Sequence, residues 1–163
     1  MADVRIRHAR AGDCALLADL LIATYLYYGD HTPYSKTEIT AKLESKHGAN
    51  PGFEALIVEV KGVAVGYAIY APVFWTSDCE IALFLKEIFV LRDARGLGLG
   101  KLLMSALSQE AKNRGWPRLV WTVDKRNFAA QRFYHNIKGS REVNKDVYVL
   151  EGDDLLTSAA AFD

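Results

Sequence analysis

LRDARGLGLGKLL, residues 91–103, sets three glycines between leucines directly ahead of a helical pattern, with an arginine in front of them. Glycines let backbone N–H groups come close to a ligand, and at a helix start those donors add to the positive end of the helix dipole. The stretch therefore reads either as an anion site at a strand-to-helix turn or as a tight connection in which glycine only permits the bend.

The flanks support a strand on one side and a helix on the other. IALFLKEIFVL (81–91) is nearly continuous in apolar residues, as a central strand buried on both faces should be. KLLMSALSQEAKNRG (101–115) puts Leu102, Leu103, Ala106, Leu107 and Ala111 on one stripe, ends at Gly115 and is followed by Pro117. Further out, EALIVEV (54–60) and AVGYAIYAPVF (64–74) flank Lys61 and Gly62 as the arms of a hairpin. VRIRHA (4–9) alternates like a strand, and residues 11–28 turn to helical spacing through Leu16, Leu17, Leu20, Leu21 and Tyr25, with Asp13 placed to cap. Residues 29–48 are a polar turn containing Pro33 and then a short amphipathic helix from Thr37 to His47. RLVWTV (118–123) predicts a strand, NFAAQRFYHNIKG (127–139) a helix opened by Asn127 and ended by Gly139, and DVYVLEG (146–152) a final strand. One domain, 1–155, is expected, with 156–163 as a frayed tail.

The composition narrows the function. In 163 residues, 50% apolar and 25% charged, 20 basic side chains balance 20 acidic ones, so nothing favours disorder or electrostatic capture of nucleic acid. The first residues, MADVRIRHARAGDC, carry charges where a signal peptide needs an apolar run, and no membrane-length apolar stretch follows, so a cytoplasmic location is expected. Cys14 and Cys79 lie far apart with no metal-ligand spacing and read as reduced structural residues; His31, His47 and His135 suggest no metal site either.

Spacing separates the phosphate-binding turns. A Walker A loop needs one more residue between its glycines than Gly96 and Gly100 provide, and Leu102 follows Lys101 where a hydroxyl should hold magnesium. A Rossmann turn starts at the strand end and carries a third glycine where Lys101 stands; only Asp124, at the end of the next strand, favours it. What remains is R-x-x-G-x-G, as Arg95, Gly98 and Gly100, between a strand and a long helix. That pattern resembles motif A of the GNAT superfamily of acyl-CoA-dependent N-acetyltransferases, and RNFAAQRFY (126–134) is similar to its motif B. FEALIVEV, VGYAIY, LKEIFV and AAQRFY most resemble the diamine (spermidine/spermine) and thialysine N-acetyltransferases.

The resemblance implies an α/β (α+β) fold: a mixed, mostly antiparallel central sheet of six to seven strands, splayed at the cofactor site and flanked by helices. It implies acetyl-CoA as cofactor, its pantetheine arm beside Phe89, Val90 and Leu91. Its pyrophosphate would lie on the amides of Arg95, Gly96, Leu97, Gly98, Leu99, Gly100 and Lys101, with Arg92 and Arg95 adding charge. Asn127 opens the motif B helix, and Tyr134 faces the cofactor and protonates the departing thiolate. Glu87 is the candidate base, because a carboxylate inside an apolar strand is costly unless paired or useful. Lys86 replaces the first of two consecutive acids of the polyamine subgroup, which disfavours a polycationic substrate if it faces the site; successive strand residues are expected to point to opposite faces. Tyr27, Tyr28, Asp30 and Glu87 would meet the amine, with the interhelical loop supplying the first three and the hairpin end adding Glu80 and Asp78. The subgroup implies a homodimer, with residues 146–152 at the interface.

The expected activity is direct acetyl transfer to a small primary amine in a ternary complex. A Rossmann-type methyltransferase or dehydrogenase, and a non-catalytic acyl-CoA sensor, are the alternatives.

Overall fold

Alternating and apolar runs in the first ninety residues become four strands, each antiparallel to the last. The computed structural model describes residues 3–47 and 52–139, with 141, 151 and 153. In it β1 (Val4–His8), β2 (Glu54–Val60), β3 (Val63–Trp75), β4 (Glu80–Val90) and β5 (Arg118–Trp121) form one sheet in chain order. Only β4 and β5 are parallel, and their register runs from Ala82 opposite Arg118 to Leu85 opposite Trp121. An order built on antiparallel pairs removes the Rossmann alternative, whose sheet is parallel. Five strands are found among the described residues where six to seven were expected, and the run 146–152 lies outside those residues.

Met1–Asp124 and Lys125–Asp163 are two compact units. In the first, α1 (Cys14–Tyr28) sets Leu17 and Leu20 against Ala55, Ile57, Tyr67 and Phe89 of the sheet. Burying each such leucine is worth about 1.5–3 kcal/mol. The inward stripe of α1 ends at Thr24, not at the expected Tyr25, which is exposed. α2 (Lys36–Lys46) starts at Ser35, whose hydroxyl accepts from the Glu38 amide while the Glu38 side chain reaches back to Ser35. α3 (Leu99–Asn113) buries Leu99, Leu103, Met104, Leu107 and Ala111, whereas Leu102, read from the sequence as core, is 44% exposed.

Asp13 does not cap α1 with its side chain; both its carboxylate oxygens are taken by Arg7, which also bonds Glu59. The guanidinium holds the Asp13 carboxyl below the usual carboxylate range. The hairpin turn between β2 and β3 has both Lys61 and Gly62 at positive φ, the twist-matched form of a two-residue loop. Gly66 is a closer constraint. A Cβ there would meet the Phe89 carbonyl oxygen at 2.6 Å and the Val90 Cα at 3.2 Å, so β3 can lie against β4 only because this residue has no side chain.

In the second unit, α4 (Phe128–Asn136) is capped by Asn127, whose side-chain oxygen accepts from the Ala130 amide at 3.0 Å. The left-handed residue that ends the helix is Lys138, not Gly139; the Gly139 amide returns to the Tyr134 carbonyl.

Candidate active site

β4 outruns its parallel partner. Pairing with β5 stops at Leu85 and Trp121, while β4 continues to Val90 along β3. In that stretch the Leu91 amide bonds the Val65 carbonyl at 2.8 Å, so the antiparallel alternation turns the odd-numbered backbone groups toward β3. The N–H and C=O of Ile88 and Val90 therefore face the other way, along an edge that carries no β5 residue. Arg95 confirms the direction: its Nε donates to the Val90 carbonyl from the far side at 3.0 Å.

A bulge at the start of this stretch changes which residues share a face. Leu85 opposes Tyr70 and Glu87 opposes Ile69, so Lys86 has no counterpart on β3. Simple alternation across Lys86 and Glu87 therefore fails. The inserted residue returns Glu87 to the face of Tyr67, Phe89 and α1, and leaves Lys86 exposed.

On that face Glu87 is half-buried, and the Tyr67 hydroxyl donates to its Oε2 at 3.1 Å. Tyr67 is fully buried, and its oxygen lies 2.9 Å from the hydroxyl of Thr24, itself only 3% exposed. Thr24 also reaches the Leu20 carbonyl at 2.9 Å. Burial, and then the adjacent carboxylate, push the Tyr67 phenol well above its ordinary value, so it stays a neutral hydrogen-bonding group. Sequence reasoning missed Tyr67 and Thr24, although Thr24 sits four residues from Leu20 on the buried stripe and Tyr67 two residues from the strand position facing Glu87.

Aromatic rings line the approach. Tyr27 packs 5.6 Å from Phe89 and edge-on to Tyr28 at 5.1 Å, and the Arg95 guanidinium lies 4.0 Å from the centre of the Tyr27 ring. Tyr27 and Tyr28 belong to the last turn of α1, not to the interhelical loop; Asp30 is in the loop and exposed. Ala23, Leu26, Tyr27, Phe89, Leu91 and Leu97 are among the residues that border an open cleft of about 620 Å³. Asp78 is held by Arg118 and so is not a free carboxylate, while Glu80 is exposed.

The glycine turn lies just past β4. Arg92–Ala94 make one 3-10 turn, and the Arg95 amide closes it on the Arg92 carbonyl at 3.2 Å, so the run of amides open to a ligand starts at Gly96. Gly96 and Gly98 both take positive φ. No side chain caps α3, and the first amide returned to the turn is that of Leu102, onto the Gly98 carbonyl. The donors of Leu99, Gly100 and Lys101 are the ones a helix start leaves without intrahelical partners. In the second unit, Tyr134 is half-buried with its ring edge-on to Phe133 at 5.2 Å, and the Asn127 side chain is occupied as the α4 cap.

A second polar cluster brings His8, Glu54 and Glu110 together with ligand atoms within 4.8 Å of one another. Arg114 bonds both Glu54 oxygens at 2.6 Å and also Glu110, so a guanidinium already engages both carboxylates that a metal ion would need.

Residues 16–139 match the Acetyltransferase (GNAT) family. The chain belongs to that family. This GNAT chain is 31% identical over 137 residues to an L-amino acid N-acyltransferase of Escherichia coli (strain K12), covering 81% of this chain and 77% of that one. It is 26% identical over 157 residues to a thialysine N-epsilon-acetyltransferase of Sus scrofa, covering 89% and 88%. An integron cassette protein from the mobile metagenome of V. cholerae has the same fold, with a TM-score of 0.86 and 27% identity over 96% of this chain and 97% of that one. The GNAT chain is thus an N-acetyltransferase enzyme of a family that uses acyl-CoA donors.

Its residues fit such a donor. A diphosphate needs convergent N–H groups without a competing side chain, which the start of α3 supplies. An extended amide-bearing arm needs a strand edge with backbone groups facing outward, which Ile88 and the N–H of Val90 supply, the Val90 carbonyl being held by Arg95.

Proposed function

We propose that the enzyme transfers an acetyl group from acetyl-CoA to the primary amine of a small molecule, directly, with both substrates bound together. The reading rests on one observation: among the described residues β4 runs on past its last pairing with β5 at Leu85 toward the uncapped start of α3, with the half-buried Glu87 carboxylate on the same strand. Acetyl-CoA supplies the acyl thioester. The amides of Gly96–Lys101 hold its diphosphate, and the outward N–H of Val90 stabilises the carbonyl oxygen as charge develops there.

Glu87 takes the amine proton through water. The C–N bond forms as the C–S bond breaks, and Tyr134 gives its phenolic proton to the leaving sulfur. Residues 1–155 act as one catalytic domain in this scheme, working as a homodimer in the cytoplasm.

Among acceptors, an amino acid or thialysine-like amine is favoured over a polyamine. Lys86, exposed at the bulge, stands where the polyamine subgroup carries an acid, so an acidic partner for a second ammonium is missing, while Arg95, on the Tyr27 ring, offers a cation to a carboxylate. The relatives acting on amino acids and on thialysine support this choice. The deciding experiment measures thiol release from acetyl-CoA with a panel of L-amino acids, thialysine, lysine, putrescine, spermidine and simple monoamines. Turnover with amino acids or thialysine above that with spermidine is expected. Turnover confined to polyamines overturns the acceptor assignment, and acetyl-CoA binding without turnover of any amine in the panel overturns the small primary amine as acceptor.

A further inference from the structure

We propose that Thr24 and Tyr67 form a reversible hydrogen-bond relay that positions the Glu87 carboxyl and serves it in both of its protonation states. The inference deepens the proposed role of Glu87 as base and rests on it for its catalytic meaning. The observation is the unbroken line Leu20 carbonyl, Thr24 hydroxyl, Tyr67 hydroxyl, Glu87 carboxylate, with contacts of 2.9, 2.9 and 3.1 Å.

Counting hydrogens gives the line two settings. Thr24 and Tyr67 each own one hydroxyl hydrogen, while the line has three contacts. With Glu87 ionised, Tyr67 donates to the carboxylate; Thr24 donates either to the Leu20 carbonyl, leaving no hydrogen between the two hydroxyls, or to Tyr67, leaving the Leu20 carbonyl with only its helical N–H partner.

When Glu87 gains a proton, a third hydrogen enters and all three contacts are filled. The carboxylic acid donates to Tyr67, Tyr67 to Thr24, and Thr24 to the Leu20 carbonyl. No buried hydroxyl is stranded in either setting, and no proton leaves the line; the change is at most two hydroxyl rotations. A group that must accept a proton and release it in every cycle is thus matched in both states.

The ionisable groups acting on the Tyr67 phenol are Glu87 and Tyr25 of α1. Lys86 is exposed at the bulge, and none of the ion pairs among the described residues includes Glu87.

The test reads the carboxyl directly. Glutamate carboxyl carbons are labelled with carbon-13, the Glu87 signal is assigned by its loss in Glu87→Gln, and it is titrated in resting full-length enzyme carrying Tyr67→Phe, Thr24→Val or Thr24→Ser. Tyr67→Phe should shift the titration midpoint, because the phenol no longer donates to the carboxylate. Thr24→Val should move it less in the same direction, and Thr24→Ser should restore it. A midpoint unmoved by Tyr67→Phe, or unmoved by Thr24→Val, overturns the relay. Both changes are isosteric, and thermal melts confirm folding; if one variant fails to fold, the other still decides.

The pH dependence of kcat/KM separates the two ideas. With Glu87 as base, its acid limb moves with the carbon signal. A carbon signal that moves while the kinetic limb stays fixed keeps the relay and removes Glu87 as the base.

Discussion

Gly66 and Gly98 are both required, for different reasons. At Gly66 a methyl group would strike main-chain atoms of β4, which cannot step aside. Gly66→Ala should therefore lower stability by about 1–3 kcal/mol in urea unfolding. At Gly98 the space is open and only the positive φ of 75° resists a side chain. Gly98→Ala should cost less, about 1–2 kcal/mol, and should mainly raise the KM for acetyl-CoA in initial-rate kinetics. Glycine as the chemistry of residues 96–100 was legible from the sequence, because close spacing before a helix has few uses. The special need at Gly66 was not, since it arises from a strand whose register only the folded sheet defines. The same holds for Lys86 and Glu87: a bulge opposite the Ile69–Tyr70 link decides their faces, and no local pattern announces it. For Glu87→Gln the expected outcome is a fall in kcat/KM concentrated below the acceptor amine's pKa; an unchanged pH profile would exclude this residue as the base.

At the level of elements, the pin between β2 and α3 gives a pH-dependent prediction. Arg114, just past α3, bonds both oxygens of Glu54 at the start of β2, Tyr70 donates to the same carboxylate, and Arg114 also covers the Trp116 ring. Its hydrogen bonds hold the Glu54 carboxyl below its ordinary 4.5, against the opposing effect of burial. A depressed folded value means the stabilisation is complete above the unfolded value and is lost as pH falls through the folded one. Arg114→Ala should thus cost about 1–2 kcal/mol at pH 7, discounted for the partial exposure of both groups. The deficit relative to wild type should shrink in urea melts carried well below pH 4.5. Element types followed readily from sequence where periodicity was strong, as in α3 and the β2–β3 hairpin. The C-terminal end of α1 followed as well. α1 carries Tyr27 and Tyr28 because Gly29, at φ 76°, is the residue that stops it. The helical spacing over 11–28 already reached both tyrosines, although the family resemblance assigned them to the interhelical loop.

For the whole molecule, ligand linkage is the simplest check. Acetyl-CoA at about 100 times its dissociation constant should stabilise the fold by about 2.7 kcal/mol and raise Tm, while S-adenosylmethionine and NAD should leave it unchanged. Tyr134→Phe should bind acetyl-CoA comparably and turn over much more slowly; equal turnover would remove the phenol from the reaction. The order of elements and the family were readable from the whole string, because strand, turn and helix signals fall in one consistent sequence. The arrangement around Glu87 was not, since its partners come from α1, β3 and β4, distant in the chain. The two cysteines also differ in a way that matters at the bench. Cys14 is buried, and burial pushes its thiol up, while Cys79 is exposed at positive φ between β3 and β4. Any disulfide reagent used to follow coenzyme release will accordingly be titrated first by Cys79, leaving a background of one equivalent per polypeptide. The same sulfhydryl offers a single address for attaching a fluorophore or a spin label.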